Sequence, residues 1–224
     1  MIYLIFILIT ILSYVAQATL KKRFKEYSKV PVGAGMTGRD VALKMLADHG
    51  ITDVQVRCID GTLTDHYDPT KKTVNLSSEV YSRCSVAAAA VAAHECGHVV
   101  QHAKGYAPLR LRTALVPVVT FSSRVVSWVL LAGILLVQAF PAILGIGIAL
   151  FAATTLFSLV TLPVEVDASR RAVQWLERAS ITNYETRPLA EKALRSAAYT
   201  YVVAALSSLA TLCYYLLIFL GNRD

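Results

Sequence analysis

Three long runs without a charged residue alternate with mixed, polar segments along the chain. Residues 1–20, 125–164 and 196–222 contain no Asp, Glu, Lys or Arg, and an α-helix needs about 20 apolar residues to cross the hydrocarbon core of a bilayer. The middle run has 40 residues, room for two crossings, and "QAFP" (138–141) offers a break because proline cannot continue the helical hydrogen-bond ladder. The pattern predicts a mostly α integral membrane protein with about four transmembrane helices and a small α+β domain between them. Its segments are an anchor over 1–20, a mixed polar segment over 21–112, a transmembrane hairpin over 113–163, a helical segment over 164–195 and a last span over 196–222.

Within 21–112 the periodicity shortens. Thr37 followed by Asp40 predicts a capping box opening "GRDVALKMLADHG", with Gly50 as its stop. The β-branched stretches "ITDVQVRCIDG" and "KKTVNLS", separated by the turn-forming "TLTDHYDPT", predict a small hairpin or edge-strand arrangement. Ser77 or Ser78 suits the cap of a short helix. Ser85 suits the cap of a longer one from Val86 to about Ala103, closed by Gly105 and Pro108. Its run "VAAAAVAA" combines high helix propensity with small side chains, as a helix surrounded by other elements requires.

Charge orients this arrangement. Residues 21–112 hold 14 of the 22 Lys and Arg, residues 165–195 hold six, and Arg124 and Arg223 complete the set. "VAQA" (15–18) resembles a signal-peptidase site, but the basic cluster "KKRFK" follows the apolar run instead of preceding it, which predicts an uncleaved anchor. Positive charge stays on the cytoplasmic side, so the N-terminus lies outside and four spans return both basic segments to the cytoplasm. The net charge of +7 is thereby assigned to membrane orientation beside anionic lipid, with no arginine–aromatic pattern for nucleic acid. Cys58, Cys84, Cys96 and Cys213 show no Cys-x-x-Cys spacing, and a cytosolic loop keeps such thiols reduced.

The chemistry concentrates in "VAAHECGHVVQHAKG" (91–105). On a helix His94 and His98 lie one turn apart on one face, and Glu95 lies about 100° round from His94. This is the HExxH arrangement, in which two histidines bind Zn²⁺ and the glutamate polarises the bound water. Chance produces so short a pattern often. A glutamate between two histidines on an alanine-rich buried helix is costly without a compensating cation, however, and this favours metal. His102, eight residues and about 12 Å along the axis from His94, is too far to share the ion and is assigned a supporting role.

A catalytic zinc takes three protein ligands and a water, so one ligand comes from elsewhere. Candidates are Glu165, Asp167, Asp65, His66 and Asp68. Glu165 is favoured: it follows the uncharged stretch in "TLPVEVDASRRA" (161–172), where Pro163 suits the first turn of a new helix, and the topology returns it to the side of His94. Asp167 faces about 200° away from it and suits pairing with Arg171.

The stretches "DHYDP", "VNLS", "VAAHECGHVVQHAKGYAPLRLR" and "LPVEVDASRRA", in this order through residues 65–172, resemble the bacterial YugP-type neutral zinc metallopeptidases. More distantly, the chain is similar to gluzincins with integral-membrane catalytic domains such as HtpX. The resemblance implies one Zn²⁺ per chain on His94, His98 and Glu165, with Glu95 as base, in a gluzincin-like domain built on the HExxH helix. It implies a bacterial inner-membrane endopeptidase facing the cytoplasm and acting on membrane proteins or membrane-proximal peptides. The membrane gluzincins such as HtpX commonly place an aspartate four residues after the glutamate ligand, where this chain has Ser169. Asp65, His66 and Asp68 are alternative orienters, and His66, Tyr106, Arg110 and Arg170 are candidate oxyanion donors. The competing expectation is a non-catalytic, zinc-stabilised membrane scaffold.

Overall fold

The computed structural model describes residues 2–33 and 35–221; Met1, Ala34 and 222–224, and with them Arg223, lie outside the described residues. The chain is mostly helical with one small sheet. Its elements are α1 (Ile2–Tyr27), α2 (Gly38–Asp48), β1 (Gln55–Ile59), β2 (His66–Asp68), β3 (Thr73–Ser77), α3 (Ser78–Ser82), α4 (Val86–Ala103), α5 (Ala107–Leu135), α6 (Pro141–Arg178) and α7 (Arg187–Gly221). It divides into two compact units. One comprises the residues up to Thr10, Ala107–Pro163 and those from Tyr201; the other comprises Ile11–Tyr106 and Val164–Thr200.

Among the described residues, α5, α6 and α7 are long and apolar enough to cross a membrane. The first unit is built from their apolar parts. Trp128, Phe121, Leu135, Leu206 and Leu217 point outward from α5 and α7 and are exposed, the disposition a lipid solvent favours. Inside this unit Val126, Leu130, Leu144 and Ile148 form a small core. Gly133 allows α5 and α6 to approach closely, since a Cβ there would stand 2.6 Å from the Leu144 Cα.

The second unit carries the sheet. Its strand order is β1-β3-β2, with every residue of the central β3 buried. β1 runs parallel to β3, pairing Gln55 with Thr73 through Ile59 with Ser77, and β2 runs antiparallel, pairing His66 with Asn75. Of the expected hairpin or edge-strand arrangement, the hairpin between the two β-branched stretches is therefore corrected, while β1 does lie at an edge of the sheet. The intervening segment contributes a strand of its own, so the chain crosses over and returns parallel to β1. The local turn residues are the same in either topology, and burial of Val74 and Leu76 on the central strand decides between them.

The core of this unit joins α2 (Val41, Met45), β3 (Val74, Leu76), the alanine face of α4 and, from α6, Ala172 and Leu176. α2 begins in a complete capping box: Thr37 Oγ1 accepts from the Asp40 amide, and Asp40 Oδ2 accepts from the Thr37 amide at 3.1 Å. The Trp175 indole donates to Asp48 Oδ2 at 3.1 Å, tying α6 to the end of α2. α4 starts on Ser85, which accepts from the Ala88 amide. It ends in a Schellman motif, in which Gly105, at φ +62, donates to His102 and Tyr106 donates to Gln101.

Pro163 does not open a new helix, because α6 runs through it without a break. Proline removes one intrahelical hydrogen bond and crowds the preceding turn, a penalty that a long packed helix absorbs as a local adjustment. Removing the capping hydroxyl in Thr37→Ala is expected to lower stability by about 1 kcal/mol, read as a reduced thermal-unfolding midpoint in detergent, with an unchanged midpoint contradicting the cap's contribution.

Candidate metal centre

Two helices of the second unit deliver the cluster. On α4 the rings of His94 and His98 stand edge to face with centroids 4.8 Å apart, as side chains at i and i+4 of a regular helix must. Glu165 on α6 enters from the other side. Its Oε2 lies 3.2 Å from His94 Nε2 and 3.6 Å from His98 Nε2. One donor atom from each of the three side chains lies within 4.8 Å of the other two. An ion held tetrahedrally at zinc–nitrogen and zinc–oxygen distances keeps its ligands about 3.3 Å apart. Both the spacing and the donor set of two imidazoles and one carboxylate fit zinc.

The electrostatics agree with the geometry. Glu165 is only 3 % exposed, and a lone carboxylate so placed would cost several kcal/mol. Burial pushes the His98 imidazole toward its neutral form, but the hydrogen bond and charge of Glu165, with the charge of Glu95 behind, outweigh it and raise its pKa above the ordinary histidine value. The pocket therefore favours positive charge at the point where the three side chains converge.

Gly97 allows the two helices to meet there. A Cβ at this position would stand 2.7 Å from the Ala168 carbonyl oxygen, so any side chain would drive α6, and Glu165 with it, away from the histidines. Glycine in a helix interior costs about 1 kcal/mol relative to alanine. That cost in the middle of "HECGH" was the available signal for a close backbone approach.

A second layer of polar contacts surrounds the cluster. His94 Nδ1 lies 3.1 Å from Ser169 Oγ, one turn beyond Glu165 on α6. His98 Nδ1 lies 3.1 Å from Gln101 Oε1. The Gln101 amide nitrogen donates to the Val164 carbonyl and to Asp167 Oδ2, both at 2.8 Å, and Asp167 Oδ2 also accepts from Arg171 Nε at 2.6 Å. Gln101 escaped the sequence reading; its signal was a long polar side chain on an otherwise packed helix, one turn after a histidine.

Glu95 is 7 % exposed and its carboxylate makes no hydrogen bond among the described residues. His102 is exposed at the end of α4, its Nδ1 2.9 Å from the Tyr67 hydroxyl. His66 lies on β2, with Nδ1 2.8 Å from the Thr64 carbonyl oxygen and Nε2 3.2 Å from the Asn75 amide nitrogen. Asp65 accepts from the Ser77 amide at 2.7 Å, and burial pushes its carboxyl above the ordinary aspartate value despite that bond. Asp68 accepts from the amides of Thr70 and Lys71, capping its own loop. The Tyr106 ring lies 5.9 Å from the Arg171 guanidinium, Arg170 is exposed on α6, and Arg110 belongs to the first unit.

Residues 2–220 match the family described as "Putative neutral zinc metallopeptidase". The chain belongs to this family. It is 44 % identical over 225 residues, covering 99 % of both chains, to the protein named "Putative membrane protease YugP" of Bacillus subtilis (strain 168). No solved structure matches it. For a neutral zinc metallopeptidase, His94, His98 and Glu165 are the donor set that fits zinc. Gly97→Val is expected to abolish zinc retention while leaving α2 and the sheet folded. Elemental analysis of purified protein beside circular dichroism measures both, and a wild-type zinc content in the variant would refute the close-approach argument.

Proposed function

We propose that this protein is a membrane-embedded, gluzincin-like zinc endopeptidase in which His94, His98 and Glu165 hold the metal and Glu95 is the general base. Zinc bound there supplies Lewis acidity, lowering the pKa of a water and polarising the scissile carbonyl. The residues of the chain do the rest. Glu95 takes the proton from the attacking water and delivers it to the leaving amine as the carbon–nitrogen bond breaks. The observation that carries this role is a buried carboxylate placed on α4 directly after His94, with its charge felt at the His98 ring. A purely structural zinc site has no use for such a group.

Ser169 and Gln101 orient the two imidazoles from their Nδ1 sides. A tetrahedral oxyanion needs a further donor, and Tyr106, Arg170 and His66 are the side chains we assign to that search. With α1 counted beside the three apolar helices, the chain has four spans. Support comes from the exposed Leu4, Ile7, Leu8 and Ile11 of α1 and from the basic cluster that ends it. In this orientation the cleft faces the cytoplasm of a bacterial cell, and the substrates are membrane proteins or peptides near the inner leaflet.

Glu95→Gln keeps the size of the side chain and removes its basicity. We expect that variant to retain zinc and lose at least 10²-fold in peptide-bond hydrolysis in detergent, the scale of a general base. Undiminished cleavage would exclude Glu95 as the base, and an absence of cleavage in the wild type against a broad peptide library would favour the scaffold. For orientation, Cys58 and Cys84 are both exposed, so a membrane-impermeant maleimide should label them in inverted vesicles and not in intact cells; labelling in intact cells would reverse the topology.

A further inference from the structure

The second layer around His98 has a direction, and that direction follows from atoms that can only accept. Gln101 is fully buried, so each of its polar groups must find a partner inside the protein. Its amide nitrogen faces the Val164 carbonyl oxygen and Asp167 Oδ2, both at 2.8 Å. A backbone carbonyl has no proton to give, and Asp167 is paired with Arg171 through the same oxygen. Both N–H groups of the amide are therefore spent on α6, and the amide cannot be turned round without setting its oxygen against these acceptors. The end that remains for His98 is the oxygen.

From this we propose that Gln101 is a positioning residue that sets the tautomer of His98. Because Oε1 can only accept, the 3.1 Å contact requires His98 Nδ1 to carry the proton. In the neutral ring Nε2 is then left with its lone pair, and Nε2 is the atom that faces Glu165. The relay Arg171–Asp167–Gln101–His98 thus translates a fixed carbonyl on α6 into the protonation pattern that a metal-ligating imidazole needs, before any metal arrives. The two histidines are not equivalent in this respect. Ser169, beside His94, carries a hydroxyl that can donate or accept, so it holds the His94 ring without dictating its tautomer.

This inference rests on the metal-site reading for its purpose, but its central statement concerns a proton and can be tested without metal. The direct experiment is nitrogen-15 NMR of the full-length, metal-free protein in detergent with labelled histidine, at a pH alkaline enough for every imidazole to be neutral. The chain has five histidines, so the His98 signals can be assigned by replacing the histidines one at a time. We expect His98 to show Nδ1 protonated and Nε2 bare; the opposite tautomer would overturn the proposal.

The companion measurement is zinc affinity by chelator competition for wild type and Gln101→Leu, with the metal-free unfolding midpoint as the check on folding. Loss of such an orienting partner typically weakens binding by roughly 10–100-fold, and a folded Gln101→Leu protein that binds zinc as tightly as wild type would also overturn it. Glu165→Ala separates the two levels. If that variant keeps wild-type zinc affinity, the ligand assignment has failed while the NMR result for His98 stands; if it loses zinc and Gln101→Leu does not, only the relay has failed.

Discussion

A carboxylate and two imidazoles converge at a buried point between two helices, and the architecture of the second unit answers the cost of putting them there. Glu165 and His94 are 71 residues apart in the chain, yet their reactive atoms lie 3.2 Å apart. Positive charge at this point, whether from protons shared among the three groups or from a divalent ion, favours such a convergence. The bare minimum of side chain at Gly97 lets the Ala168 turn of α6 press against α4, and that backbone approach sets the distance between ligands. The spacing that suits a metal ion follows from the packing.

The surrounding contacts hold this arrangement in a single orientation. The alanine face of α4 permits the close packing of α2, whose end is pinned to α6 through Trp175 and Asp48. The Schellman motif at Gly105 satisfies the last carbonyls of α4, including that of Gln101. Gln101 and Ser169 then each meet the Nδ1 of one imidazole, one with a fixed hydrogen-bond direction and one without. Catalysis by a zinc peptidase depends on such preorganisation, because an ion without oriented ligands loses both affinity and geometry.

Much of this was legible in the sequence because it is local. The i,i+4 spacing of His94 and His98, the caps at Thr37 and Ser85 and the stop at Gly105 are short-range consequences of helix geometry. The apolar runs likewise announce their length. What escaped depends on contacts between distant segments. The parallel pairing of β1 with β3 is set by which strand is buried, and the turn residues of 62–70 do not encode it. Pro163 reads locally as a helix start, and only packing over the whole of α6 shows that the helix continues. The role of Gly97 requires Ala168 to be known as its neighbour, and the role of Gln101 requires Val164 and Asp167. Asp65, His66 and Asp68 offer ligand atoms as Glu165 does, which the sequence favoured only by its place after the uncharged stretch, and their hydrogen bonds run to β3 and to their own loop.

The central claim is that one zinc ion sits on two imidazoles and one carboxylate. X-ray absorption at the zinc edge, on full-length protein purified in detergent with its metal content measured in parallel, tests this most directly. The account predicts one zinc per chain in a four-coordinate shell of nitrogen and oxygen at about 2.0–2.1 Å, with the multiple-scattering signature of two imidazoles. A sulfur shell at about 2.3 Å, a single imidazole, or protein that binds no zinc at all would contradict it.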